Sequence, residues 1–254
     1  MKKIIICDDS KPDEVIKICE NNNFGLEIQS FHDPRINITD NIENHKKILK
    51  NISLISMHGM FGDLCPGSFD SLVANVAMTR FNQSYQIALQ LKVSHLVFHH
   101  GYVPHTSSPN GWLNRCNEFW KKFLENKNNN IKIHIENMLD WDPNLLFDLI
   151  DKINKPFVDI NLDIGHAHCD SKINIIKWIE KLKNKIGYVH MHDNHGKDDE
   201  HLGLGNGTIP MEEVCNALNE YSLNSIWAIE AEGNGIIQSL EWLEKKGFID
   251  NLIL

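Results

Sequence analysis

The 254-residue sequence contains no apolar run that approaches the roughly 20 residues needed to cross a membrane. Its opening segment, residues 1–9, has a short apolar run but no small-residue cleavage site, so no signal peptide is predicted. The cysteines are scattered, and no two of them form a CxxC pair. We therefore expect neither a disulfide framework nor a cysteine zinc site, and we interpret the chain as a cytoplasmic protein with free thiols.

A surplus of basic residues is also lacking, since the formal net charge is −9 with histidine neutral. Proteins that bind nucleic acid gain most of their affinity by neutralising phosphates with lysine and arginine. The charge therefore argues against a nucleic-acid partner and favours a small-molecule substrate. Histidine, by contrast, is abundant, with 14 residues.

Apolar runs typical of strands alternate with helical patterns along the whole chain. The predicted strands are 3–7, 24–31, 52–58, 95–100, 131–136, 157–164, 186–191 and 226–230. The predicted helices are 12–20, 41–50, 69–92, 112–127, 143–153, 173–182, 211–219 and 236–245.

Strands that alternate with helices pair in parallel through right-handed crossovers. Eight such units in about 250 residues predict a (β/α)8 TIM barrel that spans residues 1–254 as one domain. An open doubly wound sheet is the alternative, but no Gly-rich phosphate loop follows the first strand. Asp8 and Asp9 are expected to cap the first helix, and Lys11 is a candidate phosphate contact.

Polar side chains alternate with apolar ones on several predicted strands. On strand six, Asp159, Asn161 and Asp163 share one face, because successive side chains of a strand point to opposite sides. A barrel strand buries both faces, so we expect this polar face to point into the pore. The same alternation pairs His134 with Glu136, His190 with His192, and Glu230 with Glu232.

Residues able to bind metals lie at or near the ends of most strands, where barrel enzymes carry their chemistry. We expect the following to converge on one mouth: His58, His99, Glu136, Asp163, His166, His190 and Glu230. Asp199 and His201 could join them from the loop after strand seven. Carboxylates crowded at one mouth repel each other unless cations compensate them. The sequence therefore predicts a divalent-metal site, and nine candidate ligands favour more than one ion. Zinc, manganese and cobalt all accept such nitrogen and oxygen ligands.

Four segments resemble the xylose isomerase-like barrels, which include sugar isomerases, sugar epimerases and endonuclease IV. They are IHIEN at 133–137, LDIGH at 162–166, VHMHD at 189–193 and IE at 229–230. The resemblance implies that Glu136, Asp163, His190 and Glu230 hold a divalent ion. It also implies that Glu136 and Glu230 act as acid and base, with His166 at the substrate.

The endonuclease IV members add further ligands, which this chain also has. They are matched by MHG at 57–59, by FHHG at 98–101, and by the Asp199 to His201 pair ahead of LGNG at 204–207. That likeness implies a site for three zinc ions, whereas the sugar isomerases imply one divalent ion. We therefore expect one to three ions, with zinc preferred and manganese or cobalt as alternatives. The chain departs from these members in its first loop, in its short link after strand two and in its acidic charge.

Two reactions stay open on these residues, together with a barrel that binds metal without activity. The first is isomerisation or epimerisation of a small sugar or sugar phosphate, and the second is phosphodiester hydrolysis at a multi-zinc site. We expect the first, with His100, His192 and Glu232 as further substrate contacts. The glycines at 203, 205 and 207 predict a chain reversal with N–H groups turned toward an anion. A homo-oligomer is an additional expectation.

Overall fold

A computed structural model describes residues 2–8, 12–127 and 129–254 of the chain. The strands are β1 Ile4–Cys7, β2 Gly25–Ile28, β3 Ile55–His58, β4 His95–His99, β5 Lys132–Glu136, β6 Val158–Asp163, β7 Ile186–Met191 and β8 Ile226–Ile229. Each strand pairs in parallel with the next, and β8 pairs with β1 to close the barrel. The predicted (β/α)8 barrel is confirmed, and the open sheet is excluded.

The helices surround this barrel. They are α1 Pro12–Asn22, α2 Ile38–Ile48, α3 Ser71–Gln90, α4 Pro109–Leu124, α5 Asn144–Ile153, α6 Ile164–Asp170, α7 Ile175–Leu182, α8 Met211–Tyr221 and α9 Gly235–Lys245. The sequence did not predict α6, which follows β6 directly and lacks an apolar period. Asp163 caps α6, because its carboxylate accepts a hydrogen bond of 2.7 Å from the His166 N–H.

The alternation of side chains sorts each strand into an outer apolar face and an inner polar face. Ile160 and Leu162 of β6 are fully buried in the main hydrophobic cluster, which includes residues of the surrounding helices. Asn161, between them, reaches Glu136 of β5 inside the pore, at 2.8 Å from its carboxylate. This geometry explains how the barrel tolerates a polar centre: the apolar burial that stabilises it lies between strands and helices.

Seven of the eight predicted strands were too long by one to four residues, and two of these differences bear on the site. The segment around Phe31 turns into a short 3-10 helix, Ser30–His32, which buries the Phe31 ring in the core. Strand β8 ends at Ile229, so Glu230 and Glu232 lie beyond it rather than on one strand face. The Asp8 carboxylate accepts the Gln29 N–H at 2.7 Å and ties the end of β1 to β2. The predicted capping of α1 stays a prediction. Asp9 and Lys11 lie outside the described residues.

The glycine-rich loop after β7 does turn N–H groups toward an anion, but that anion belongs to the chain itself. The buried Asp193 carboxylate accepts hydrogen bonds from the N–H groups of Asn194, Gly205 and Ile209. Gly205 has φ +82°, a conformation that side-chain-bearing residues rarely adopt. The loop that carries Asp199 and His201 is therefore anchored at both ends. Among the described residues, no helix is long and apolar enough to span a membrane.

Candidate metal centre

A cleft of about 360 Å³ opens at the carboxyl ends of the strands. Glu136, at the end of β5, lies at its floor and is only 1% exposed. Its Oε2 atom is 3.4 Å from His58 Nε2, and its Oε1 atom is 3.3 Å from His99 Nε2. Its Oε1 atom is also 3.4 Å from His190 Nδ1. One carboxylate therefore faces imidazoles from three other strands, as a bridging metal ligand would.

His190, at the fifth position of β7, is the second focus of the site. Its Nδ1 atom lies 3.0 Å from Glu230 Oε2 and 3.6 Å from Asp163 Oδ2, in addition to Glu136. This buried nitrogen makes no geometrically acceptable hydrogen bond to any described residue. A buried imidazole nitrogen that faces several carboxylate oxygens without a hydrogen bond fits a divalent cation between them.

The third focus is Asp199, in the loop after β7. Its Oδ2 atom lies 3.3 Å from His166 Nε2 and 3.0 Å from His201 Nε2. The loop therefore reaches the cleft, and Asp199 connects two histidines that come from different parts of the chain. His166 also lies 3.4 Å from Glu136 through its Nδ1 atom, so this group is continuous with the other two.

The tautomers of three histidines are set by backbone carbonyls. The Nδ1 atoms of His58, His166 and His201 donate to the carbonyls of Gly59, Asn137 and Glu230, at 2.8, 2.9 and 2.8 Å. A carbonyl oxygen can only accept, so each Nδ1 carries a proton. The Nε2 atoms are then the ones available to a metal, and they point at carboxylates. Metal-binding histidines typically donate one ring N–H to a carbonyl in this way and bind the ion through the other nitrogen.

The electrostatics of the cleft are those of a site built to hold positive charge. Burial acts to raise the pKa of Glu136, but His190 and His99 outweigh it and hold that pKa well below its usual range. Burial likewise opposes the charge on His190, yet Glu230, Glu136 and Glu27 raise its pKa well above normal. Against the same burial, Asp199 raises the pKa of His201 to about 9. Protons on imidazoles therefore supply the positive charge that metal ions would otherwise supply.

A sequence profile of the xylose isomerase-like TIM barrels matches residues 13–246. The chain belongs to the xylose isomerase-like TIM barrel family. Among solved structures of this fold, a D-tagatose 3-epimerase-like protein is 26% identical, with a TM-score of 0.80 and 97% coverage of both chains.

Two further relatives come from named organisms. A Thermus thermophilus protein, solved after soaking with ZnCl2, is 20% identical, with a TM-score of 0.81 and coverage of 97% of this chain and 98% of that one. At that identity it shows the shared fold alone. An uncharacterised protein of Methanocaldococcus jannaschii is 31% identical over 193 residues, which is 69% of this chain and 64% of the relative. The match thus spans less than two thirds of that relative's length.

The three residues expected to contact substrate have different surroundings. Glu232 lines the cleft. His192 is fully buried, stacks on His201 with ring centroids 4.1 Å apart, and faces Asp163, so it lies among the metal-binding candidates. His100 does not line the cleft. Its Nε2 atom donates to Asp140 at 2.7 Å, and its Nδ1 atom accepts the Tyr102 N–H.

Sequence reasoning missed several residues of the cleft. Gln29 and Phe61 line it, and the Phe61 ring stacks on His99 with centroids 4.5 Å apart. Glu27 of β2 lies deeper and is fully buried, with one oxygen 3.0 Å from His190 Nε2. The signal for Glu27 was present, because it stands between Leu26 and Ile28 on a strand that has no exposed face.

Raising the pH from about 6 to about 9 is expected to strengthen metal binding, because ions must displace protons from imidazoles. Because the pKa of His201 is raised to about 9, part of the increase in metal affinity should occur above pH 7. Burial lowers the pKa of His99, so His99 needs no such deprotonation. Calorimetric titration with Zn²⁺ in two buffers of different protonation enthalpy would count the released protons. An affinity that stays constant over this range would contradict the expected exchange of protons for metal.

Proposed function

We propose that this protein is a divalent-metal-dependent isomerase or epimerase of a small sugar. The observation that carries the proposal is that Glu136 and Glu230 both approach His190 Nδ1, at 3.4 and 3.0 Å, on the floor of an open cleft. Two carboxylates around one metal-binding position are what proton transfer next to a carbonyl requires.

The residues that would hold the central ion are Glu136, Asp163, His190 and Glu230, with His58 and His99 as partners of Glu136 for a second ion. Zinc suits this nitrogen and oxygen set, and manganese or cobalt are alternatives. When bound, the ion would polarise the substrate carbonyl and make the neighbouring C–H bond more acidic. Glu230 would take that proton, and the protonated form of Glu136 would deliver one to the opposite face for epimerisation. Proton exchange with solvent would then return both glutamates to their starting states.

The walls of the cleft support a substrate without a phosphate group. Among the described residues that line it, none is a lysine or an arginine. Gln29, His32 and Glu232 instead offer groups that hydrogen-bond hydroxyls, and Phe61 offers an aromatic face for sugar C–H groups. The 26% identical neighbour is described as D-tagatose 3-epimerase-like, which suits a free ketose as the first substrate to test.

The Glu230→Gln variant is expected to lose about 10²- to 10⁴-fold in turnover, because general acid–base groups contribute that much. It should keep its ions, since an amide oxygen can replace one of several ligands. The measurement is deuterium uptake from D₂O at carbon 3 of a panel of free and phosphorylated ketoses, with metal content measured in parallel. No exchange in any sugar by the metal-loaded wild type would contradict the proposal.

A multi-metal phosphodiesterase is the second candidate, and one observation favours it. His166, Asp199 and His201 meet at distances of 3.3 and 3.0 Å, which offers a third ion position beyond what sugar isomerisation needs. The net charge of −9 and the absence of basic residues among the described cleft residues weigh against DNA. Nicking of duplex DNA at an abasic site, lost in His190→Ala, would replace the first proposal with this one.

A further inference from the structure

The Glu27 carboxylate is a fully buried group of the pore that the proposed reaction does not use. It extends from β2 below the cleft floor. Its Oε2 atom accepts hydrogen bonds from the Tyr188 hydroxyl at 2.6 Å and from the Ser56 hydroxyl at 3.1 Å. Its Oε1 atom faces His190 Nε2 at 3.0 Å. Both oxygens therefore have donors, which lets a carboxylate persist in the interior of the barrel.

This contact settles which nitrogen of His190 can bind a metal. A neutral imidazole carries one proton, and a buried carboxylate is a strong acceptor for it. With the proton on Nε2 and directed at Glu27, the lone pair is on Nδ1. That atom is the one that faces Glu136, Asp163 and Glu230. The opposite tautomer would place a proton in the gap where the cation belongs.

A second contact extends the influence of Glu27 across the barrel. The Gln29 side-chain amide lies 3.4 Å from Glu27 Oε1 and also donates to the Glu230 carboxylate. The β2 strand thus holds one metal-binding candidate directly and another through Gln29. No bond to the substrate is involved, because Glu27 does not line the cleft.

We propose that Glu27 is the positioning residue of the metal centre, which fixes the tautomer and ring orientation of His190 through its Nε2–H. The inference rests on the metal centre of the proposed function but not on the sugar substrate. Loss of such a hydrogen-bond partner of a metal-binding histidine typically lowers metal affinity 10- to 100-fold. Without the partner, the imidazole ring can rotate, and its proton can sit on either nitrogen.

An alternative use of the same atoms defines the rival outcome. Cys7, Glu27, His190 and Glu230 offer ligand atoms that all lie within 4.8 Å of one another, so an ion could bind below the cleft. In that arrangement Glu27 would be a ligand rather than a hydrogen-bond acceptor, and His190 would bind through Nε2. A cobalt-loaded protein would then show thiolate charge-transfer absorption that disappears in Cys7→Ser.

The test uses the full chain, stripped by chelator and titrated with Zn²⁺ against a chromophoric competitor. Glu27→Ala is expected to weaken the tightest site by about 10- to 100-fold and to change the visible spectrum of the cobalt form. Glu27→Gln, whose amide oxygen can still accept from Nε2, should recover most of that loss. Ser56→Ala is the matched control, because it removes one donor to Glu27 without touching His190, and its affinity should stay within about threefold of wild type.

Nitrogen-15 NMR of labelled histidine in the zinc-loaded wild type provides a second readout, with an expected Nε2 proton and a metal-bound Nδ1 for His190. Wild-type affinity and spectrum in a folded Glu27→Ala protein would overturn the inference, and so would an Nε2-bound metal. If Glu27→Ala does not fold, the NMR assignment of the wild type decides alone. Because no readout needs a sugar, a failure to find epimerase activity would leave this result standing.

Discussion

The Glu136→Gln variant is expected to lose roughly 10³-fold or more in kcat/KM. Two losses combine in it. In the proposed reaction, a carboxylate that moves a proton is worth about 10²- to 10⁴-fold, and the change also removes a proposed ligand of the ions. Glutamine keeps the shape and can still accept the 2.8 Å hydrogen bond from Asn161. A loss of kcat/KM in this variant would therefore come from the missing charge and weaker metal binding rather than from altered packing.

The measurements for this variant are turnover and metal content on the same preparation. Fewer bound ions are expected, because Glu136 faces both His58 and His99 on one side and His190 on the other. Glu118→Gln on α4 is the matched control, since that side chain is 72% exposed and pairs with Lys121 on the surface. A Glu136→Gln protein with full activity and full metal content would remove the site assignment altogether.

The barrel was predictable because its alternation of apolar runs and helical periods is set by local chemistry. The inward direction of Asn161 was predictable from strand geometry alone. The convergence of His58, Glu136 and His190 also followed, because parallel strands bring their carboxyl ends to one rim. The element boundaries were less accessible, since the 3-10 turn that buries Phe31 depends on packing against the finished core.

Side-chain direction just beyond a strand was the hardest part to predict. His99 and His100 are adjacent and identical in chemistry, yet only His99 faces the cleft. Strand β4 ends at His99, and Gly101 then turns the chain with φ +70°. His100 is directed toward Asp140 as a result. Glu27, by contrast, was predictable. The alternation of side chains that places Asn161 in the pore also places Glu27 there, between Leu26 and Ile28 of β2.

Removing the proposed ions with a chelator is expected to abolish the proposed activity and to lower the thermal stability of the protein. An ion present at 100 times its dissociation constant stabilises the folded state by about 2.7 kcal/mol. For a chain of this size each kcal/mol corresponds to roughly 2–4 °C in Tm, so loss of one such ion should lower Tm by about 5–11 °C. Scanning calorimetry of chelated and zinc-restored samples measures this difference. Equal Tm values for the two forms would contradict a metal centre in the cleft.

The difference in Tm between the zinc-restored and the metal-free protein should increase as the pH rises from 7 to 9. In the metal-free protein, the Asp199 carboxylate raises the pKa of His201 to about 9, although burial acts to lower it. A histidine whose folded pKa exceeds its unfolded value near 6.5 contributes stability fully below that value, and the contribution is lost as the pH rises through 9. The metal-free form should therefore lose stability over this range. The loaded form should not, because its positive charge comes from ions rather than from protons, and metal binding itself strengthens with pH.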